Sequence, residues 1–547
     1  MSMSLDLPDK EYEMIELTGA WARERSIKER KLEHGIQSIY SLRGCSSNNF
    51  NPFIALKREN CNEYAGEVLG FSFVYSGNFL AQVEVDTYDV TRVMMGIHPH
   101  CFSWSLEKGE SFQTPEVVMV YSNDGLNKMS QTYHKLYQRR LARGKYRDQV
   151  RPILVNNWEA TYFDFDEEKI MDIAGTAQKL GIELFVLDDG WFGKRNNDVA
   201  GLGDWYPNLQ KLPSGISGLS RKINNLGMKF GLWFEPEMVN KNSDLYRNHP
   251  QWILETPNRP SSHGRNQFVL DFSNPEVVIY VYNMMTEVID KANISYIKWD
   301  MNRPLTEVNS VLLSAQRKGE TFHRYILGLY DILGWLKERY PDLLIEGCSS
   351  GGARFDPGIL CYGAQNWASD NTDAFDRMKI QEGFSLLYPP ETIGSHVSIT
   401  PNHQTGRSTP LDTRYQVAKF FNLGYELDLT KCSEEERKEI QEQVQEYKQE
   451  RSRFLNGRFF RHDTPNENYI MWSVVTEKEC FAVIFQKFCD PLCAQSCFRL
   501  LGLEPEADYE NVKDGKVYGG DELMEAGITV SLVKEDFHVF TFRFRKL

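Results

Sequence analysis

The sequence has little of what membrane and exported proteins carry. Its N-terminus, MSMSLDLPDKEYEMIEL, has no basic start and no apolar run, unlike a signal peptide. No stretch reaches the ~18 consecutive apolar residues that a membrane helix needs. The 10 cysteines stand in a chain without an export signal, so we expect them to be reduced thiols. These absences favour a cytoplasmic protein with no membrane partner.

Positive charge is also scarce. The 547 residues include 62 Lys and Arg against 76 Asp and Glu, a net charge of −14. An acidic chain is a poor partner for nucleic acid, because phosphate binding needs an excess of cations. Two basic clusters, at residues 23–31 and 139–151, are interpreted as solvated faces. Cys489, Cys493 and Cys497 are spaced by fours and lack the C-x2-C pair of common zinc sites, so we expect them to pack in the fold and to bind no metal.

The first 150 residues predict an antiparallel sheet domain. Apolar residues alternate with polar ones in runs such as 68–75 and 79–85, and each run is bounded by Gly, Asn or Asp. That alternation is typical of strands with one buried face. A helix is predicted at 130–141, before the pattern of the chain changes.

Residues 151–452 predict a barrel. Short buried runs alternate there with helical stretches such as 163–180 and 322–340. Repeated strand-helix units over ~280 residues indicate a parallel sheet, and at this size a closed (β/α)8 barrel. A ninth run, 268–272, must lie outside a barrel of eight strands. The eight runs expected to form the barrel are 153–158, 184–189, 230–235, 294–300, 343–347, 365–370, 393–398 and 421–427.

The last part predicts a second sandwich. Ser433 to Glu436 read Ser-Glu-Glu-Glu, a capping box that opens a charged helix to about Arg453. Alternating patterns then return at 469–485 and 528–544. We therefore expect an α/β protein with a barrel at 151–452, an N-terminal β-sandwich at 1–150 and a C-terminal antiparallel β-sandwich at 453–547.

Six of the predicted barrel strands end in acids or Trp rings. In a (β/α)8 barrel the carboxyl ends of the strands form one face, where active sites lie. Carboxylates, Lys and Arg suit the hydroxyl groups of sugars, an aromatic ring suits the apolar face of a pyranose, and glycoside hydrolysis needs two carboxyl groups. The strand ends in question are Trp158-Glu159, Asp188-Asp189-Gly190-Trp191, Trp233-Phe234-Glu235, Lys298-Trp299-Asp300, Cys348-Ser349 and Trp367 to Asp370.

Each acid also has an ordinary structural interpretation. An Asp at a strand end is often the N-cap of the next helix, which is an open alternative for Asp370, and Asp189 precedes a Gly as turn residues do. Together, the acids and rings on six strand ends favour a site. Lys298 lies two residues before Asp300 and would keep that carboxylate ionised, as a nucleophile requires.

At these residues the chain resembles the clan D glycoside hydrolases, specifically the bacterial α-galactosidases of family 36. The likeness runs from LTGAWARER, which begins at Leu17, to the C-terminus. Its most specific segments are NNWEATYFDF, FVLDDGWFG, FGLWFEPEMV, GRNQFVLDFS, YIKWDMNR, CSSGGARFD and WASDNTDA.

The resemblance implies an activity and a role for each matching residue. It implies a retaining α-galactosidase acting on melibiose- and raffinose-type oligosaccharides, with no metal or nucleotide cofactor. Asp300 matches the nucleophile and Asp370 the acid/base. Asp188 and Asp189 match the pair that binds the C4 and C6 hydroxyls of galactose. The remaining matches to the sugar site are Trp158, Trp233, Arg265, Lys298, Asn302, Cys348, Gly351 and Trp367.

Two details of the resemblance bear on specificity and assembly. In the family, the residue matching Cys348 lies near the C2 hydroxyl and leaves little room for an N-acetyl group, which favours galactose. Family members also carry a longer N-terminal sandwich that helps to build a homotetramer. We therefore expect an incomplete sandwich here, and the oligomeric state stays open.

Two alternatives compete with this interpretation. Gly347 to Gly351 fit G-x-S-x-G after a strand, with Asp370 or Asp373 and then His396 or His403 downstream, as in a serine hydrolase that uses Ser349. Against it, that motif must lead into a helix, and Pro357-Gly358 follows instead. The other alternative is a truncated chain that binds sugar without turning it over.

Overall fold

The computed structural model of the chain describes residues 1–491 and 495–547. Within them, a closed barrel of eight parallel strands stands between an N-terminal and a C-terminal group of antiparallel sheets. This arrangement confirms the predicted fold class. Cys493 lies outside the described residues. Cys489 and Cys497 are exposed, so the expectation that they pack in the fold was wrong.

The N-terminal part consists of two sheets with a shared core. Its nine strands are β1 (Met3–Leu7), β2 (Glu13–Ala20), β3 (Arg23–Lys31), β4 (Gly35–Ser41), β5 (Phe50–Lys57), β6 (Val68–Phe73), β7 (Phe79–Val85), β8 (Thr91–Ile97) and β9 (Val117–Ser122). One sheet has the order β1-β8-β7-β4 and the other β3-β2-β5-β6-β9. Along β7 every second residue, Phe79, Ala81, Val83 and Val85, is buried, which is the predicted period of two.

The helix that leads into the barrel begins earlier than predicted. It is α1 (Gly125–Leu136), and the chain continues as one π-helical segment over Tyr137–Leu141. The residue before it, Asp124, makes no side-chain capping bond, so the usual signal of a helix start is weak there. In the basic segment 139–151, Arg139 and Arg140 are exposed as expected, whereas Arg151 is buried.

The central part contains ten strands. They are β10 (Leu154–Asn156), β11 (Leu184–Leu187), β12 (Lys229–Phe234), β13 (Met238–Val239), β14 (Phe268–Val269), β15 (Tyr296–Trp299), β16 (Leu344–Gly347), β17 (Gln365–Trp367), β18 (Ile393–Ser398) and β19 (Asn422–Glu426). β13 and β14 pair outside the barrel, and the other eight close it in chain order. The run at 268–272 therefore lies outside, as predicted. All four residues of β11 are buried, which explains a continuous apolar run in place of an alternating one.

Helices follow most barrel strands. They are α2 (Trp158–Thr161), α3 (Glu167–Lys179), α4 (Gly215–Asn225), α5 (Asp244–Asn248), α6 (Pro275–Ala292), α7 (Thr321–Arg339), α8 (Pro357–Leu360), α9 (Ala374–Ser385) and α10 (Leu411–Lys419). Short 3₁₀ segments lie at Lys145–Arg147, Pro250–Trp252, Ala315–Glu320 and Pro390–Thr392. α3 starts later than the predicted 163 because the Asp166 side chain caps it, accepting the backbone N–H of Lys169.

The predicted capped helix follows the last barrel strand and precedes the C-terminal sheets. Ser433 and Glu436 form the capping box, and the helix extends slightly beyond the expected Arg453. The elements are α11 (Glu434–Asn456), β20 (Arg458–Arg461), β21 (Tyr469–Val475), β22 (Glu479–Gln486), β23 (Gln495–Phe498), β24 (Asp508–Asn511), β25 (Val517–Gly519), α12 (Gly520–Glu525), β26 (Ile528–Ser531) and β27 (His538–Lys546). The strands form a six-stranded sheet of order β20-β21-β22-β27-β24-β25 and a two-stranded sheet β23-β26.

Buried arginines join the parts. Arg461 of the C-terminal sheet pairs with Glu63 of the N-terminal part, with 2.9 Å between Nη2 and Oε2. Arg25 on β3 donates to the carbonyl of Gly352, in the segment that follows β16. The interpretation of residues 23–31 as a solvated face was therefore wrong at Glu24 and Arg25, both buried, although residues 28–31 are largely exposed. Across 1–491 and 495–547, no helix has the length and apolar character to cross a bilayer.

Candidate active site

The carboxyl ends of the barrel strands surround a cavity of about 710 Å³. Parallel strands present these ends to one face, so side chains far apart in the chain meet there. Of the twelve predicted site residues, eleven line the cavity, and Gly351 lies just behind its wall. The eleven are Trp158, Asp188, Asp189, Trp233, Arg265, Lys298, Asp300, Asn302, Cys348, Trp367 and Asp370.

Asp300 follows β15 directly and is fixed by three donors. Its Oδ1 accepts the backbone N–H of Met301 at 2.8 Å. Its Oδ2 accepts Asn302 Nδ2 at 2.7 Å and Trp233 Nε1 at 3.2 Å. Donors on both oxygens orient the group and suit a carboxylate that must stay anionic.

Lys298 has a different partner from the one expected. Its Nζ forms an ion pair with Asp188 Oδ2 at 2.8 Å, and Asn156 Nδ2 donates to the same oxygen at 2.6 Å. Burial alone would lower the pKa of Lys298, but the charge of Asp188 and, more weakly, of Asp300 raises it well above its usual value. That Lys298 keeps Asp300 ionised stays a prediction. The ion pair with Asp188 is the direct contact.

Asp189 is held by an arginine that sequence reasoning missed. Arg195 Nη2 lies 2.8 Å from Asp189 Oδ2, and both side chains are buried. Gly190, with φ of 105°, makes the turn that the Asp-Gly pair suggested. The turn and a place in the cavity wall thus coexist at this strand end.

Asp370 does not cap the next helix. Asp373 does, since its side chain accepts the backbone N–H groups of Phe375 and Asp376 at the start of α9. Asp370 Oδ2 instead accepts Trp21 Nε1 at 2.9 Å. Burial raises the pKa of Asp370, and the negative charge of Asp300 raises it further. A carboxyl that keeps its proton more strongly than usual suits a general acid.

Four tryptophans contribute rings to the cavity, Trp21 from the N-terminal part and three that were predicted from the strand ends. Trp233 is buried at the end of β12, where its carbonyl accepts Trp191 Nε1 at 2.9 Å. Trp367 packs on His396 with 4.3 Å between ring centroids. Trp158 is partly exposed at the start of α2, with Tyr162 edge-on to it. Such rings can stack on a pyranose while their N–H groups bind acceptors.

Arg265 and Asn302 stand at the rim. Arg265 is exposed, with a positive φ of 52°, in the loop between β13 and β14. Asn302 donates to Asp300 and accepts the Ser350 hydroxyl at 3.0 Å. A loop cation and a fixed amide offer a polar ligand both a charge and an oriented hydrogen-bond partner.

Cys348 is unsuited to nucleophilic attack. Burial raises the pKa of its thiol well above the usual value, and the carboxylates of Asp300 and Asp370 add to the effect. A thiol that resists ionisation is a poor nucleophile. Cys348 therefore acts as a small apolar wall beside the two carboxyl groups.

Ser349 lacks the environment of a serine nucleophile. Its hydroxyl is buried and has no hydrogen-bonding partner among residues 1–491 and 495–547. His396 Nδ1 contacts Glu426 at 2.9 Å, and His403 Nδ1 lies 3.4 Å from Glu159. Since neither histidine activates Ser349, the serine-hydrolase alternative loses its support.

Sequence reasoning missed a second set of cavity residues. Glu159 accepts the Thr372 hydroxyl at 2.6 Å, and Glu159 and Glu426 both line the cavity. Trp21 comes from the N-terminal part. Glu159 was part of the strand-end pattern, and Trp21 was part of the segment LTGAWARER. Neither pattern indicated that Trp21 would contact Asp370, which lies 349 residues further along the chain.

Comparisons with known proteins agree with this geometry. A family model described as Melibiase matches residues 111–457, and models of the glycosyl hydrolase family 36 N-terminal and C-terminal domains match residues 1–107 and 469–544. The chain belongs to glycosyl hydrolase family 36. As a family 36 protein it is 54% identical over 540 residues to alpha-galactosidase AgaA of Geobacillus stearothermophilus, a match that covers 98% of this chain and 74% of that protein.

Other family 36 proteins give the same picture. Alpha-galactosidase Mel36A of Lactobacillus acidophilus is 46% identical over 550 residues, covering 100% of this chain and 75% of that one. The crystal structure of AgaA superposes with a TM-score of 0.98 at 53% identity, covering 100% of this chain and 76% of that chain. Structures of AgaA variants contain raffinose and stachyose. In the described part of this family 36 chain, no group of three or more His, Cys, Asp or Glu could bind a metal ion.

Proposed function

We propose that the protein is a retaining α-galactosidase that hydrolyses terminal α-galactosyl residues through a covalent galactosyl-enzyme intermediate. One observation carries the proposal. Asp300, surrounded by donors, and Asp370, whose pKa is raised, line the same cavity over the Asp188–Lys298 ion pair. Two carboxyl groups with opposite protonation needs are what a retaining mechanism requires.

In the first step Asp300 attacks the anomeric carbon. Its carboxylate is oriented by Met301, Asn302 and Trp233, so little rearrangement precedes attack. Asp370 gives its proton to the glycosidic oxygen as the bond to the leaving group breaks. The raised pKa of Asp370 favours the protonated form that this step needs.

In the second step the roles of the two groups reverse. Asp370, now ionised, takes a proton from water, and the water oxygen attacks the anomeric carbon and displaces Asp300. The negative charge of Asp300 is absent while it is bonded to the sugar. Because that charge raises the pKa of Asp370, its loss lowers the pKa, so Asp370 is protonated more readily in the free enzyme and ionised more readily in the intermediate.

The cavity floor supports a galactose preference. Asp188 and Asp189 present carboxylates that Lys298 and Arg195 fix in position, so they can bind two neighbouring hydroxyl groups of one sugar. Their match to the residues that bind the C4 and C6 hydroxyls in family 36 supports galactose. Cys348, buried beside both catalytic carboxyl groups, limits the space near C2.

Oligosaccharides of the melibiose, raffinose and stachyose type are the proposed substrates. The AgaA structures with raffinose and stachyose support this class, and the partly exposed Trp158 offers a surface for a leaving-group sugar at the mouth. A cytoplasmic location and the domain boundaries 1–150, 151–452 and 453–547 stay predictions, and the oligomeric state stays open.

The direct test is release of nitrophenol from p-nitrophenyl α-galactoside, with Asp300→Ala as the paired variant and size-exclusion chromatography on the same samples. We expect turnover by the parent and none by the variant at equal monodispersity. A monodisperse parent that binds galactose in calorimetry and hydrolyses nothing would favour the sugar-binding alternative. Turnover by Asp300→Ala would refute the assignment of the nucleophile.

A further inference from the structure

The tip of the hairpin between β2 and β3 packs against the loop that carries Asp370. Trp21 Nε1 donates to Asp370 Oδ2 at 2.9 Å, and Asn371 Nδ2 donates to the Ala22 carbonyl at 3.1 Å. Arg25, fully buried, donates to the Gly352 carbonyl on the neighbouring loop. The N-terminal part therefore forms one wall of the acid/base environment, and this wall belongs to the LTGAWARER segment.

Glu24 is a buried carboxyl group that the proposed mechanism does not use. It is 1% exposed. Its Oε1 accepts the backbone N–H of Ala22 at 3.2 Å, and its Oε2 has no hydrogen-bonding partner among the described residues. Ser369 lies beside it. Gly351 touches it so closely that a Cβ there would come within 2.7 Å of Glu24 Oε1 and 2.8 Å of the Asp370 nitrogen.

Glu24 and Trp21 act on Asp370 in opposite directions. The carboxyl of Glu24 opposes a second negative charge at Asp370, so its ionised form strengthens the hold of Asp370 on the proton. The indole N–H of Trp21 binds an ionised Asp370 more strongly than a protonated one, so it favours release of the proton. Retaining catalysis needs both states, since Asp370 is acid in one step and base in the next.

We propose that Glu24 and Trp21 are positioning residues that balance the protonated and ionised states of Asp370 and direct its free oxygen toward the glycosidic oxygen. The inference rests on the proposed α-galactosidase function and adds two residues of the N-terminal part to it. With Oδ2 held by Trp21, Oδ1 is the oxygen left for proton transfer.

Other charged groups also face this pair, and the test must separate their effects from those of Glu24 and Trp21. Burial raises the pKa of Glu24 to about 7, with the charge of Asp370 adding to it, so Glu24 itself changes charge in the working range. Around Asp370 and Glu24 the further ionisable groups are Asp300 and Lys298 at β15, Cys348 after β16, Arg265, Arg377 on α9, His403 and Arg25. All of these stay unchanged in the variants below.

The experiment compares pH profiles of kcat/KM for Trp21→Phe and Glu24→Gln on melibiose and on p-nitrophenyl α-galactoside. Trp21→Phe should move the basic limb to higher pH and Glu24→Gln should move it to lower pH, each by about 0.5–1 pH units, the scale of one hydrogen bond or one nearby charge. Because p-nitrophenolate needs little protonation, we expect Glu24→Gln, in which Asp370 holds its proton less strongly, to lose about tenfold on melibiose and under about threefold on the nitrophenyl substrate at neutral pH.

Trp104→Phe is the matched control. Trp104 also belongs to the N-terminal part but packs on Phe112 and His323 outside the cavity, so both limbs should stay in place. Glutamine can still accept the Ala22 N–H, so Glu24→Gln keeps the hairpin contact, and a thermal melt checks that each variant is folded.

The inference would be overturned if the basic limb of the kcat/KM profile stayed in place in both variants, or moved in the same direction in both. Either result would leave the α-galactosidase function in place. A loss confined to the KM for melibiose in Trp21→Phe would make Trp21 a stacking surface and would also overturn it. A parent inactive on both substrates would remove the proposed function and this inference with it.

Discussion

The ion pair between Asp188 and Lys298 is the feature whose loss the structure lets us predict in most detail. Both side chains are buried, and 2.8 Å separates Lys298 Nζ from Asp188 Oδ2. At an effective dielectric constant of 20, two unit charges this close attract by about 6 kcal/mol. Asp188→Asn keeps the shape and one hydrogen bond but leaves a buried ammonium without this partner, and we expect a net cost of about 3–5 kcal/mol.

That cost should appear in stability and in catalysis separately. We expect the apparent melting temperature to fall by about 5–10 °C. The kcat/KM for α-galactosides should fall by about 10–10², because the charge-assisted hydrogen bond that we propose between Asp188 and a sugar hydroxyl is lost. Differential scanning fluorimetry and initial rates measure the two effects on one preparation.

A double-mutant cycle tests the reasoning. Lys298→Met combined with Asp188→Asn removes the unpaired charge. The melting temperature of the double variant should therefore fall by less than the sum of the decreases in the two single variants. The exposed pair Lys291–Glu287 on α6 is the matched control, since Lys291→Met should cost under about 0.5 kcal/mol. Strict additivity, or a melting temperature unchanged by Asp188→Asn, would refute the account of this buried pair.

Four further predictions follow from the site. Asp370→Ala should lose at least about 100-fold more kcat/KM on melibiose than on p-nitrophenyl α-galactoside, and equal losses in initial rates would contradict its role as acid. Asp300→Gly with azide should yield the β-galactosyl azide, because azide attacks the anomeric carbon from the side of the missing carboxylate. An α-galactosyl azide found by NMR would exclude inversion in the first step. Gly351, with φ of 73°, has no room for a Cβ, so Gly351→Ala should cost about 1–2 kcal/mol and displace Asp370. The control Gly175→Ala, in an open stretch inside α3, should melt at or slightly above the temperature of the parent in the same thermal assay. Glu24 has a pKa of about 7 in the folded protein against 4.5 in the unfolded chain, so the folded state binds more protons between these two pH values. The free energy of unfolding of the parent should therefore fall by about 3 kcal/mol as the pH rises from 4.5 to 7. Urea titrations should show this fall in the parent and not in Glu24→Gln.

Sequence patterns predicted the barrel well because its signal is local. Each strand is a short buried run, each helix has its own period, and the excluded run at 268–272 was identified by the count alone. The ends of these strands carried acids and rings, so the common face of the barrel was enough to bring eleven predicted residues to one cavity.

What the sequence did not reveal depends on long-range contacts. Lys298 was assigned to Asp300 because they are neighbours along the chain, but the strand presents it to Asp188, 110 residues away. Glu24 and Arg25 looked like part of a charged, solvated strand, since no local pattern tells that the β2–β3 hairpin packs into the barrel mouth. Arg195 was likewise not predicted, because only the fold of the loop after β11 brings its guanidinium into contact with Asp189.

The central claim is that Asp300 forms a covalent bond to galactose, and mass spectrometry of a trapped intermediate tests it most directly. In an α-galactosyl inactivator, fluorine at C2 slows both steps and a good leaving group restores the rate of the first, so the intermediate accumulates. Peptide mapping should place one fluorogalactosyl group on the peptide that contains Asp300, and Asp300→Ala should stay unlabelled. A label on Asp370 or Ser349, or hydrolysis of α-galactosides by a protein that never becomes labelled, would contradict the account.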